Sequence, residues 1–308
     1  MVPDKAFLLA LGLLDTRAPD PCYIKDRAGK IKTAVFETKS ILDEYRFQSV
    51  GGILGAFDIW NMAISQSLLT NSEVWVEIND EAVKLLEDIH KLFFQVILQV
   101  PSSTPSPSYF WQTGMLELRF EVMKRKLNFV NSIKNLDENS LAKKIFDEQV
   151  KHRWPGLITE CDELCDTLNL PRISSNTISR GDIENAVREG NKDKLMKEMS
   201  NLSKLKDMKK DEFEMQPYFS NKNVHEARTM FRVSSGMFPC KLNFRSDPAF
   251  SRELWFCDSC ESQVDSMSHV AICPAYQPLR VGKDISNDKD LAEYMAAVMV
   301  IRSKQKHK

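Results

Sequence analysis

The sequence predicts a mainly α-helical protein: helical regions in succession, then a small C-terminal module built on a metal knuckle. Three observations predict this. Glycine and proline number only 11 and 13 in 308 residues, too few for a turn-dense β fold. Apolar residues recur every three or four positions along most of the chain. Near the C-terminus, Cys257, Cys260, His269 and Cys273 stand in the order and spacing of a zinc site.

The length suits two domains or one domain with an appended module. A net charge of −1 excludes a strongly basic nucleic-acid coat, and 43% apolar residues exclude a disordered polyampholyte. Seven cysteines, an odd number scattered over a long chain, argue against a disulfide framework and for a reducing nuclear or cytoplasmic compartment. The apolar run at 6–14 is too short to span a membrane. It suits a signal-peptide core, but Asp4 dilutes the charged start and no small-x-small cleavage site follows. A first core helix or strand is the preferred reading, and no membrane partner is expected.

The first helix signal is Ile53, Phe57, Trp60, Ile64 and Leu68, one face of a helix. A second helix, capped by Asn79 or Asp80, runs through Leu86, Ile89, Phe93 and Val96, with His90 as a half-buried member, and stops at Pro101. The prolines between Pro101 and Ser108 mark a linker or bent connection that no helix crosses. Beyond it, Leu116, Phe120, Met123, Leu127 and Val130 make a helical face, and Arg119, Lys124, Arg125 and Lys126 decorate the other side. Those four bases read either as phosphate contacts or as an ordinary solvated surface.

Helices at Ser140–Arg153 and Leu157–Leu168 follow, separated by Pro155-Gly156. Residues 172–215 are polar and lysine-rich, a long helix or a solvated connector. A last helix, starting near Asn287 or Asp288, carries Leu291, Tyr294, Met295, Val298 and Ile301 on one face and frays from Arg302. The expected divisions are 1–108, a helical region ending in the Pro/Ser linker; 109–215, a helical connector; and 216–308, the knuckle module with its C-terminal helix.

The knuckle carries the chemistry. Seven cysteines in 308 residues would give a CxxC pair by chance only about 0.16 times, and the spaced His269 and Cys273 lower that further. Four protein ligands leave no open position for water, so the expected zinc is structural. Arg252 and Arg280 are candidates to balance the thiolates. Cys161 and Cys165 fall in a helix core stripe, and His152 is their only neighbour of ligand type, so they read as core residues. Phosphate-loop, dinucleotide, serine-hydrolase and zinc-protease motifs are all missing.

Several runs resemble a known family. These are Ala56-Phe-Asp-Ile-Trp60, Ser67-Leu-Leu-Thr-Asn71, Glu73-Val-Trp75, Val100-Pro-Ser-Ser-Thr-Pro105, Thr113-Gly-Met-Leu116 and Asn139-Ser-Leu-Ala142. Later come Phe231-Arg-Val-Ser-Ser-Gly-Met-Phe238, Leu254-Trp255, the knuckle and Cys273-Pro-Ala-Tyr276. Together, over roughly Gly29 to Arg302, they resemble the part of non-LTR (LINE-type) retrotransposon reverse transcriptases that follows the polymerase palm. The resemblance implies a thumb-like helical bundle, a connector and a nucleic-acid-binding zinc knuckle. Template RNA or target DNA would be the partners, together with the fingers and palm.

The chain departs from the family where polymerase chemistry resides. That chemistry needs paired aspartates holding Mg²⁺, one pair in a Tyr-x-Asp-Asp turn, and this sequence has no such turn. The resemblance therefore implies binding without DNA synthesis, with no catalytic residue in this chain. The alternative is a zinc-stabilised helical protein-interaction module, a degraded or domesticated remnant. If the bundle lacks a palm to cover it, Ile53, Phe57 and Trp60 are expected to form an exposed patch.

Overall fold

A computed structural model describes residues 21–44, 49–75, 80–202, 205, 213–244, 255–285 and 288–305. The apolar run at 6–14, the caps Asn79 and Asn287, part of the lysine-rich stretch at 203–212, and Pro248, Phe250, Arg252 and Leu254 lie outside these residues. The protein is mainly helical. Among the described residues β structure is limited to three isolated bridges, Val50 with Asn223, Thr113 with Met215 and Phe256 with Val264. No described helix is long and apolar enough to cross a membrane.

The chain forms two compact units interleaved along the sequence. The first takes residues up to Val35, then Trp60–Phe93 and Met115–Lys197; the second takes Phe36–Ile59, Phe94–Gly114 and Glu198–Lys308. Helices α1 (Pro21–Asp43) and α4 (Asp80–Leu98) contribute residues to both. Helix α1 is not among the expected elements, although Ala28, Ile31, Val35 and Leu42, all buried, follow helical spacing. Between them α2 (Gly52–Ile59) continues through a π-helical turn, Trp60–Ile64, into α3 (Ser65–Leu68). Wide turns of this kind shift the buried face of a helix by a residue.

The core of the first unit gathers around α6 (Leu118–Lys134), which buries Phe120, Leu127, Val130 and Ile133 against α7 (Leu141–His152), α8 (Leu157–Thr167) and α9 (Arg180–Ser200). Both expected boundaries have a local cause. The Ser140 hydroxyl accepts from the Lys143 N–H at 3.2 Å and caps α7. Arg153, at φ 51°, ends that helix in the left-handed region just before Pro155-Gly156. Within the lysine-rich stretch, Arg180–Ser200 forms α9, anchored in this unit by buried Ile183, Val187 and Leu195.

In this unit His90 lies 1% exposed, with its ring stacked on Trp60 at 4.5 Å between centroids. It is a full core residue and not the half-buried one expected. Burial pushes its imidazole down to about 3, so the ring is neutral at neutral pH.

The second unit is organised by α5 (Ser106–Thr113); no helix crosses the proline segment, since α4 ends at Leu98 and residues 101–105 make a bent connection, but the last of its prolines belongs to the helix that follows. The prolines start this helix instead of preventing one: Pro105 stands at the N-cap and Pro107 in the first turn, where a missing N–H costs nothing. Tyr109, Phe110 and Trp111 are all buried. Tyr109 stacks on Phe94 and Phe231, and Phe57 meets Phe94 and Phe219 edge to face. Ile53, Phe57 and Trp60 are each 1% exposed, so the expected apolar patch does not exist. The fold covers it with its own aromatic residues.

Gln112 is bonded at its side-chain oxygen by the Tyr218 and Ser234 hydroxyls, which joins α5 to α10 (Tyr218–Asn221) and α11 (Val224–Ser234). From α11, Arg228 donates to the Ile97 carbonyl at 2.8 Å and to Asp43 at 3.0 Å. Gly114 ends α5 at φ 63°, and a Cβ there would lie 2.8 Å from the Glu214 Cα and 2.9 Å from the Met215 nitrogen.

Two outcomes follow. Gly114→Ala meets both a left-handed backbone and a main-chain clash, and is expected to lower stability by about 2 kcal/mol in urea denaturation; an unchanged midpoint would contradict this backbone path. For His90, the unfolded chain takes up a proton below its ordinary value of 6.5 while the folded one does not until about 3. Stability is therefore lost as pH falls through that window, by up to about 1.4 kcal/mol per pH unit from this group. His90→Phe, which keeps the stack on Trp60, should flatten the decline in Tm between those values. Parallel curves for the two proteins would refute the assignment.

Candidate metal centre

The knuckle is held by a short hairpin and one helical turn. The Cys257 N–H donates to the Gln263 carbonyl at 2.9 Å, and Phe256 bridges Val264, so the CxxC segment folds back on itself. The Glu261 N–H closes the turn on the Cys257 carbonyl at 2.8 Å, with Glu261 at φ 55°. Helix α12 (Met267–Ile272) then begins at Ser266, whose hydroxyl accepts from the His269 N–H at 3.1 Å. Cys273 stands just past the end of α12, where the backbone turns extended at ψ 127° before Pro274.

These elements bring the four predicted residues together. One ligand atom from each of Cys257, Cys260, His269 and Cys273 lies within 4.8 Å of all the others, and no other such group occurs among the described residues. Cys257 and Cys273 place their sulfurs 3.9 Å apart, and the Cys260 sulfur is 3.2 Å from His269 Nε2. A disulfide needs about 2.05 Å. A tetrahedron with metal–sulfur bonds of about 2.3 Å has sulfur–sulfur edges of about 3.8 Å, so the separation fits four ligands around one ion. The cluster can hold a metal ion.

Residues outside the motif set its geometry. His269 Nδ1 is 2.9 Å from the side-chain oxygen of Gln263, which fixes the tautomer with the proton on Nδ1 and leaves the Nε2 lone pair facing the thiols. The Ser262 hydroxyl donates to the Cys260 sulfur at 3.2 Å. That bond, with the Ser262 amide, lowers the Cys260 thiol to about 6, whereas burial raises Cys273. Three of the four residues are buried and Cys260 is half-buried.

Of the two expected bases, Arg252 lies outside the described residues and Arg280 lies beside the cluster. Arg280, at the end of α13 (Gln277–Arg280), donates to the Ala271 carbonyl at 2.7 Å and lies over the Tyr294 ring, so it braces α12. Arg302, expected to lie in a frayed tail, is a structural residue of α14 (Asp288–Gln305). It bonds Asp265, the Pro239 carbonyl and the Tyr276 hydroxyl, and Tyr276 in turn meets the Ser259 hydroxyl of the CxxC turn at 2.7 Å. Neither Gln263 nor Arg302 stands at a spacing that marks it in the sequence. Cys240, far from the knuckle's CxxC in sequence, packs in one apolar cluster with Cys257 and Cys273, where burial pushes its thiol up to about 12.

The other candidates sit elsewhere. Cys161 and Cys165 are fully buried in the core around α6, as their stripe predicted, while His152 pairs with Glu148 and stacks on Trp154. Arg119, Lys124, Arg125 and Lys126 do not form an exposed basic face. Lys126 is 2% exposed and paired with Glu160. Lys124 pairs with Glu121 at 2.7 Å, Arg125 bonds the Leu69 carbonyl and Gln66, and Arg119 is half-buried. Packing of α6 against α8 turns part of the expected face inward.

Compared with models of protein families, with curated proteins and with solved structures, the chain matches none.

Elemental analysis of purified protein is expected to give about one zinc per chain, and Cys257→Ser to abolish it; a metal content that Cys257→Ser leaves unchanged would refute the site. Gln263→Leu should retain all four ligands but weaken zinc affinity about 10- to 100-fold in competition with a chelator, since the imidazole loses its orienting partner.

Proposed function

We propose that this chain is a zinc-stabilised helical module that binds single-stranded nucleic acid, and that it corresponds to the thumb, connector and knuckle following the palm of a LINE-type reverse transcriptase. The observation that carries this reading is the convergence of Cys257, Cys260, His269 and Cys273 within 4.8 Å. Cys257, Cys260, His269 and Cys273 would hold the zinc, which with four protein ligands would serve a structural role. Around that site the chain's own residues do the remaining work. Gln263 and Ser262 orient ligands, and the hairpin presents Phe256 and Val264, 44% and 38% exposed, beside Cys257. Bases stack on such apolar platforms without regard to sequence.

Template RNA or target DNA is the proposed partner, together with the fingers and palm, in the nucleus or cytoplasm. Polymerisation would belong to that palm, with its aspartates and Mg²⁺. A second reading, a zinc-stabilised protein-interaction module, is favoured by one observation: the bases of α6 are engaged with the protein itself, as in the Lys126–Glu160 and Lys124–Glu121 pairs.

Filter binding of single-stranded RNA over a salt series separates the two. Nucleic-acid binding predicts an affinity that falls steeply with salt, by about tenfold or more between 50 and 200 mM for a few phosphate contacts. Undetectable binding at the lowest salt would reject it in favour of the interaction module.

A further inference from the structure

The second unit contains a cavity of about 300 Å³ that is separate from the four knuckle ligands. Its wall is largely apolar, from Pro101, Met237, Phe238, Pro239 and Met299, and Arg232 supplies the one charged side chain. The Arg232 guanidinium donates to the Gln99 carbonyl at 2.5 Å and contacts the Met299 sulfur at 3.7 Å. Neither acceptor carries a charge. The neighbouring Arg228 is already matched by Asp43 at 3.0 Å, and among the described residues no carboxylate lines the cavity or pairs with Arg232. A partly buried guanidinium without a counter-charge is costly, and it holds five N–H donors of which these contacts use two. The cavity thus joins an uncompensated positive fork to a wall of sulfur, proline and aromatic surface.

We propose that this cavity takes one nucleotide, its phosphate on Arg232 and its base against the apolar wall. The volume is at the lower end of small-molecule sites, enough for a single such unit. The planar guanidinium matches two oxygens of a phosphate, and an apolar surface accepts the face of any base. The inference rests on the nucleic-acid reading above, and the same chemistry has two sources, a free nucleotide or one nucleotide of a single strand.

The test uses the full chain and two variants, Arg232→Gln and Ser103→Tyr. Ser103 is an exposed residue at the cavity, so a tyrosine there fills the mouth without disturbing the core. Binding of a labelled single-stranded oligoribonucleotide is measured by anisotropy, and of AMP and UMP by titration calorimetry. Both variants are expected to bind the oligonucleotide about tenfold more weakly than the unaltered protein, the loss of one charge-assisted contact. Binding of AMP or UMP that both variants also weaken identifies a free nucleotide as the occupant, and an effect confined to the oligonucleotide identifies the strand. If the unaltered protein binds the oligonucleotide and both variants match it, the cavity inference is overturned while the nucleic-acid reading stands. If the unaltered protein binds AMP or UMP through Arg232 but no oligonucleotide, the nucleic-acid reading fails and the cavity stands as a free-nucleotide site. No binding of either probe overturns both.

Discussion

The C-terminal module depends on one ion pair, Arg302 with Asp265. Asp265 is 3% exposed and ties three stretches of chain together. Its carboxylate accepts from the Lys241 N–H at 2.8 Å and from both terminal nitrogens of Arg302, its own N–H reaches the Trp255 carbonyl at 2.7 Å, and its carbonyl accepts from Leu242 at 3.1 Å. The Arg302 side chain lies against the Phe238 and Tyr276 rings. Burial alone would push the guanidinium down, but the hydrogen bonds and charge of Asp265 hold it above its ordinary value. Removing either partner would strand a buried charge, at a cost of about 3–5 kcal/mol. The pair fixes where α14 meets the knuckle, and so where the four ligands sit relative to the module's core of Val270, Tyr276, Tyr294 and Val298.

This arrangement makes metal and packing complementary. Cys257 and Cys273 belong at once to the ligand set and to the apolar cluster that α14 covers. Tyr294 reinforces the union by donating its hydroxyl to the Val270 carbonyl at 2.5 Å from within that cluster. A metal at the thiols therefore stiffens a cluster that already has a small core of its own, in contrast to the shortest zinc modules, whose core cannot hold without the ion.

What could be read in the sequence was what depended on near neighbours. The boundaries of α7 and α8 follow from Ser140, Arg153 and Pro155-Gly156, all close to the breaks they cause. The four knuckle ligands lie within 17 consecutive positions, with spacings set by one turn and one helical turn. Features that depend on distant partners were hidden. Lys126 looks like a surface base until Glu160, 34 positions on, draws it inward. Arg302 looks like part of a basic tail until Asp265, 37 positions earlier, is folded beneath it. The start of α5 inside the proline segment was hidden for a different reason. Proline is a breaker inside a helix but a starter at its first turn, and the distinction rests on Tyr109, Phe110 and Trp111 having a core to enter.

The interleaving of the two units carries a consequence for synthesis on the ribosome. The second unit's central helix, α5, leaves the ribosome well before its partners: Tyr218 lies 106 positions after Gln112, and Ser234 lies 122 after it. Contacts of such long separation close slowly, and more than a hundred further residues must follow α5 before they can form. Until then Phe94 is at hand to cover part of the aromatic surface of α5, but the faces that later meet Phe231 and Phe213 stay open on the nascent polypeptide, a natural recognition surface for chaperones and a hazard for self-association if translation pauses between them.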